Sequence, residues 1–183
     1  MEKQIFREDA GIFVNCAHVS TEKRLECRGG LGKVGAMRFR VLVAGKPALD
    51  YAKAAVDEYM KRLRRYGAYE LSVVKPGDSD SVSARLLEAS AGCFRIALDE
   101  RGELLRTREL AGKLDVLEMH GTVKTVAFLI GASDGHSPGL RKEADMILSL
   151  SGLTMQHELA LVVLMEQLYR IATIKSGGPY HRD

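Results

Sequence analysis

The chain has 183 residues, 46% of them hydrophobic, and a formal net charge of +3. That is enough apolar material for one packed core, and one domain is the default at this length. No apolar run reaches bilayer-spanning length, Met1 to Ala10 lack the order of a secretory signal, and Cys16, Cys27 and Cys93 make no disulfide framework. The expectation is a reduced, cytoplasmic protein with no membrane and no metal partner. The mild positive charge permits an RNA partner without arguing for one.

Residues 1–36 come first and read as a flexible extension, with Met37 as the alternative start of the protein. "CRGGLGKVG" (27–35) is too poor in large apolar residues to pack. Its "GLGKVG" lacks the spacing of a phosphate loop, and Val34 stands where Ser or Thr should follow the lysine. Cys16, His18 and Cys27 offer three metal ligands without a fourth. From Arg38 the pattern changes. "FRVLVAG" (39–45) is a buried strand, and "LDYAKAAVDEYMKRLRRY" (49–66) has one apolar helical face. Tyr69 to Val74 is a second strand, 76–81 a loop, Val82 to Ala89 a short helix. "CFRIAL" (93–98) is a third strand, then "DERG" suits a type I turn with Gly102 at its end. A helix runs from about Thr107 to Met119. "TVAFLIG" (125–131) and Asp145 to Leu150 are the last two strands. Leu159 to Met165 are apolar at consecutive positions, so the closing helix is expected to be buried on two sides, by the sheet and by a second copy of the chain. Thr154 is its expected N-cap.

Alternating strands and helices at these spacings mean an α/β fold with a parallel sheet covered on both faces. Ligands of such sheets bind beyond the carboxyl ends of the strands. The loops 98–102, 131–135 and 148–154 all leave at that edge. Each has an ordinary reading as a turn or a helix start, but a capped helix start does not explain the whole of "LSLSGLT". Glu166 and Arg170 are four apart on the closing helix, so Arg170 is either an ion-pair partner or a functional cation. Gly177 and Gly178 stop that helix. Tyr180, His181 and Arg182 follow, an aromatic ring, an imidazole and a guanidinium able to stack on a base, move a proton and hold a phosphate. A frayed tail is the alternative. "KRLRR" (61–65) reads first as a solvated helix end and second as an RNA-facing patch.

"RFRVLVAGK", "LDERGELL", "FLIGASDGHSP", "LSLSGLTMQHELA", "EQLYRI" and the ending "PYHRD" together resemble the ribosomal RNA large-subunit methyltransferase H family, of the SPOUT superfamily. The resemblance covers Met37 to Asp183. It implies a three-layer α/β SPOUT fold with a C-terminal trefoil knot, a homodimer, and S-adenosylmethionine as cofactor. It implies methylation of N3 of a pseudouridine in 23S rRNA, within the large subunit of the assembled ribosome. Another knotted methyltransferase acting on tRNA, or a ribosome-binding protein without turnover, are the alternatives. Matched position by position, Leu98, Ala132, Ser151, Gly152, Leu153, Thr154, Met155 and Gln156 would touch the cofactor. Arg170, Tyr180, His181 and Arg182 would serve catalysis, with His157 a second imidazole. Ala132 stands where the family usually has Gly, Gln156 where it has Pro, and Leu161 where it commonly has a basic residue.

Overall fold

A computed structural model describes residues 37–182. The extension 1–36, with Cys16, His18, Cys27 and the glycine run, lies outside the described residues, as does Asp183. The elements in chain order are β1 (Arg38–Ala44), α1 (Asp50–Leu63), β2 (Tyr69–Val74), α2 (Ser79–Ala89), β3 (Phe94–Leu104), α3 (Thr107–His120), β4 (Thr125–Ile130), α4 (Pro138–Glu143), β5 (Met146–Ser149) and α5 (His157–Lys175). The five strands form one sheet in the order β2-β1-β4-β3-β5, with every neighbouring pair parallel.

The pleat sorts the side chains of each strand to two faces. Val126, Phe128 and Ile130 of β4 join Val41 and Val43 in a core completed by α1, α3 and α5. Ala127 and Leu129 join Leu42 and Ala44 in a smaller core under α2 and α4. The result is the expected three-layer α/β arrangement. A parallel sheet needs this cover because neither of its faces meets water. No helix among the described residues is long and apolar enough to cross a membrane.

Four local readings change. The "DERG" segment is not a turn: β3 continues through it to Leu104, and its register against β5 shifts between Leu98 and Glu103. Gly102 is there because the two backbones nearly touch; a Cβ on it would stand 2.6 Å from the carbonyl carbon of Leu148. Helix α2 starts at Ser79, capped by Asp78, whose carboxylate accepts from Ser81 N at 2.9 Å. Helix α4 was not expected, although Ser137 caps it and Pro138 opens it in the usual way. Thr154 is not the cap of α5. Its hydroxyl donates to Glu100 Oε2 at 2.7 Å, and Gln156 caps the helix by accepting from Leu159 N at 3.0 Å.

On α5, Leu161, Leu164 and Met165 are buried in the larger core, which explains an apolar residue at 161. Val162 and Val163 are half-buried and Leu159 is exposed. The carboxylate of Glu158, in the first turn, is buried and accepts from Ala48 N at 2.9 Å and Leu49 N at 3.0 Å. That places a negative charge at the start of α1, a helix with no side-chain cap of its own. At the other end, Gly177 takes the left-handed conformation (φ 71°) and Gly178 N donates to Thr173 O, so the glycines stop α5 as expected.

Candidate functional site

Because β4, β3 and β5 are neighbours, the segments leaving their carboxyl ends meet. They enclose a cleft of about 320 Å³, inside the range of roughly 300–1,000 Å³ usual for small-molecule sites. Leu98 to Arg101, Ile130 to Gly135 and Leu148 to Ser151 form its walls, and Leu153, Thr154, Met155, His157 and Ala160 close it from the side of α5. The three loops singled out in the sequence are therefore one site. The segment 149–153 is held by its own hydroxyls: Ser149 Oγ donates to Ser151 O at 2.7 Å, and Ser151 Oγ accepts from Leu153 N at 3.0 Å.

The segment after β4 is fixed from below. Ala132 and Gly135 form a short antiparallel bridge, with Gly135 in the left-handed region (φ 84°). Helix α2 anchors it: Ser79 N donates to Asp134 at 3.1 Å, Ser79 Oγ to Gly135 O at 3.1 Å, and Ser137 N to Ser83 Oγ at 3.0 Å. Gly at 131 lets the backbone pack closely, since a Cβ there would lie a tight 3.0 Å from both Gly135 O and His136 Nδ1. Asp99, at the end of the conventional part of β3, is paired with Arg141 of α4 at 3.1 Å. His136 is buried, and burial holds its imidazole below the ordinary histidine range, opposed by the Asp99 carboxylate.

The charged and aromatic candidates lie elsewhere. Arg170 is bound by Glu166, through Nη2 at 2.5 Å and Nε at 3.1 Å, which holds its guanidinium firmly charged. Tyr180 folds back on α5 and does not project away from it. Its ring packs edge-on against Tyr169 (4.7 Å between centroids), the Arg170 guanidinium sits 4.8 Å from its centroid, and its hydroxyl donates to Glu166 at 3.2 Å. Burial, then the Tyr59 hydroxyl and the Glu166 charge, push the Tyr180 phenol up to about 12. Tyr59 and Tyr66 flank Tyr169, and Arg62 of α1 stacks over Tyr59 and Tyr169 at 5.7 and 5.5 Å. Of "KRLRR", Arg62 thus belongs to this aromatic cluster. His181 is half-buried and Arg182 exposed.

Of the expected cofactor residues, Leu98, Ala132, Ser151, Leu153, Thr154 and Met155 line the cleft, as does His157; Gly152 and Gln156 do not. None of Arg170, Tyr180, His181 and Arg182 lines it within the same chain. Sequence reasoning passed over Asp99, Arg141 and His136. Asp99 and His136 sit inside "LDERG" and "GASDGHSP", segments already under suspicion, but nothing in their spacing says that both are buried. Arg141 lies on the helix that was not expected.

Three kinds of likeness bear on this arrangement. A family model described as "Predicted SPOUT methyltransferase" matches residues 37–181. The chain is 49% identical over 146 residues to a ribosomal RNA large subunit methyltransferase H of Thermus thermophilus, covering 80% of this chain and 99% of that protein. The protein of the same description from Deinococcus radiodurans is 42% identical over the same shares. Among solved structures, a methylase family protein from Neisseria gonorrhoeae superposes with a TM-score of 0.51 at 16% identity, over 85% of this chain and 91% of that one. One from Haemophilus influenzae gives 0.52 at 13%, over 80% and 69%. At those identities the superpositions speak for the fold alone. With a parallel α/β sheet, a cleft at its carboxyl edge and a family match across nearly all the described residues, the chain belongs to the SPOUT methyltransferase family.

Proposed function

We propose that the chain transfers a methyl group from S-adenosylmethionine to N3 of a pseudouridine in the 23S rRNA of the assembled ribosome. The observation that carries this reading is the cleft. Its walls combine backbone and small residues with large apolar side chains at the carboxyl edge of the sheet, in a chain nearly half identical to proteins described as ribosomal RNA large subunit methyltransferase H. The residues fit the cofactor. Leu98, Ile130, Leu148, Met155 and Ala160 offer apolar faces to a purine, and Ser149, Ser151 and the backbone of the 131–134 segment offer polar contacts to a ribose and an amino acid. Gly131 lets the 131–135 segment pack closely on itself, where a Cβ would be crowded against Gly135 and His136. Bound there, S-adenosylmethionine supplies a sulfonium-activated methyl group.

The protein's own part is to hold a uracil-like ring in line with that methyl and to offset the charge as the N3 proton leaves. Arg170, oriented by Glu166, and Arg182 are suited to phosphate or base-edge contacts. Tyr180 stays neutral at working pH, so it stacks or donates and does not act as a phenolate base. His181 of the tail and His157 at the cleft are the two imidazoles suited to take the proton. Because Arg170, Tyr180, His181 and Arg182 stand outside the cleft of their own chain, the reading includes a homodimer in which the tail of one copy completes the cleft of the other. The exposed Leu159 and half-buried Val162 and Val163 of α5 are apolar surface suited to such a contact. It also includes a trefoil knot formed where the 148–156 segment passes the extended β3.

Titration calorimetry with S-adenosylmethionine, together with methyl transfer to purified ribosomes and to tRNA, tests the reading. Methylation of ribosomes at N3 of pseudouridine is the expected result. Methylation of tRNA alone overturns the substrate, and binding without transfer to either overturns the activity. Mixed dimers test the shared site. One subunit carrying Ala132→Trp, which fills the cleft, is paired with one lacking residues 180–183. About half of the normal site activity is expected if the tail works across the interface; folded heterodimers with none show that it works within its own chain.

A further inference from the structure

Residues 131–135 all line the cleft, and the next residue turns the opposite way. His136 is 3% exposed, and neither nitrogen of its ring makes a hydrogen bond of good geometry. The backbone at the ends of β3 and β4, at Leu98 and Leu129, lies close enough to favour the charged ring. So do two charges from different elements, the Asp99 carboxylate of β3 and the Arg141 guanidinium of α4, which are paired with each other at 3.1 Å. On its own segment, Asp134 is turned away to Ser79. The ring stands directly behind the cleft wall, since a Cβ on Gly131 would come within 3.0 Å of His136 Nδ1.

We infer that His136 is a positioning residue, a buried buttress that sets the Gly131–Gly135 turn as one wall of the cofactor cleft. The inference rests on reading that cleft as the site for S-adenosylmethionine. An imidazole buried this deeply is tolerated neutral and opposed when charged. The Asp99 carboxylate, and after it the backbone at Leu129 and Leu98, favour the charged ring, but less than burial disfavours it. The wall is therefore well formed while the ring is neutral and disturbed when it takes a proton. A histidine whose folded pKa is lowered contributes stability above its ordinary value of about 6.5 and loses it as the pH falls toward the lowered value. S-adenosylmethionine brings a sulfonium charge to the other side of the same wall. Cofactor and proton consequently oppose each other, and linkage makes the opposition mutual. S-adenosylhomocysteine has nearly the same outline without that charge, so it opposes the proton less.

The test compares the full chain with His136→Leu and with His136→Asn, which cannot titrate there. Affinities for S-adenosylmethionine and S-adenosylhomocysteine are measured by calorimetry at about pH 8 and about pH 5.5, on either side of the ordinary histidine range. Melting temperatures without ligand are taken at the same two values. In the full chain, affinity for S-adenosylmethionine should fall on acidification by about fivefold more than in either variant, within the roughly tenfold that one pKa unit allows. The excess should be smaller for S-adenosylhomocysteine. The unliganded melting temperature should also fall further in the full chain than in the variants. Equal falls in all three proteins, in affinity and in melting, overturn the inference while leaving the cofactor site standing. If the full chain binds neither ligand at about pH 8, the reading of the cleft is wrong, and the inference fails with it.

Discussion

The cleft and the outer face of α5 bring together different kinds of group. Around the cleft, main chain and small side chains such as Gly131, Ala132, Ser149, Ser151 and Thr154 stand among the aliphatic side chains of Leu98, Ile130 and Leu148, on paired strands. On α5 the contacts are long side chains, Tyr59, Arg62, Tyr169, Arg170 and Tyr180, arranged around Glu166 on a half-buried surface. Substitutions at the cleft should act through backbone position, and those on α5 should spare the fold.

The largest effect should come from Gly102. In Gly102→Ala the new Cβ meets the backbone of Leu148 at 2.6 Å, where no side chain can yield. A cost of about 3 kcal/mol is expected from such overpacking. That lowers the melting temperature by roughly 6–12 °C for a domain of this size. Gly152→Ala, with nothing within 4 Å of its Cβ, should melt as the parent does. Equal melting of the two would end the claim that β3 is pinned to β5 at that point.

Removing residues 180–183 should abolish ribosome methylation, a loss of a hundredfold or more on the order of what misplacing reacting groups costs. Affinity for S-adenosylmethionine should hold, and stability should fall by only about 1 kcal/mol, the worth of one aromatic contact. Weakened cofactor binding would show that the tail belongs to the cleft. Leu159→Glu comes next. The side chain is 42% exposed, so the subunit should fold, while light scattering should report monomers in place of dimers. A parent protein that is monomeric at micromolar concentration would refute the dimer outright.

Smaller still is the effect of Tyr180→Phe at alkaline pH. Tyr69 and Tyr180 are both pushed up to about 12, chiefly by burial. Ultraviolet titration should therefore show two late phenols in the parent and one in the variant. A raised folded pKa means that stability from Tyr180 is complete below its ordinary value of about 10 and is lost as the pH rises toward 12. The smallest effect is expected from starting the chain at Met37. That residue is already 4% exposed within the larger core, and melting temperature and methylation rate should not move.

β1 and β4 were readable as runs rich in β-branched and aliphatic residues, and Tyr69–Val74, with polar Glu70 and Ser72 between apolar residues, has the same bounds in both readings. The cleft was readable as three small-residue segments leaving one sheet edge. What sequence could not convey is approach between distant backbones. "DERG" has every local feature of a turn, and only its contact with β5 makes it strand. Thr154 is a good cap by type, but Glu100, brought close by that same extension of β3, takes its hydroxyl, and Gln156 caps instead. Tyr180 looked free beyond two glycines; Tyr169, Arg170 and Glu166, less than four turns back on α5, draw it in. His136 and Asp99 are polar letters whose burial depends wholly on the packing of α4 and the sheet.

The carboxylate of Glu158 has a consequence for how the chain is made. It reaches across about 110 positions of sequence to bind Ala48 N and Leu49 N, so the earliest helix of the described domain receives its negative partner from the last. During synthesis α1 leaves the ribosome long before that partner exists. Until α5 arrives, those two amides remain in water, Asp50 is the acid that the first turn of α1 has for itself, and α1 lacks the apolar cover that α5 provides. The domain therefore cannot mature from its front end backward, as chains with local contacts do. Its assembly closes in one late event, when the segment that walls the cleft also finishes the first helix.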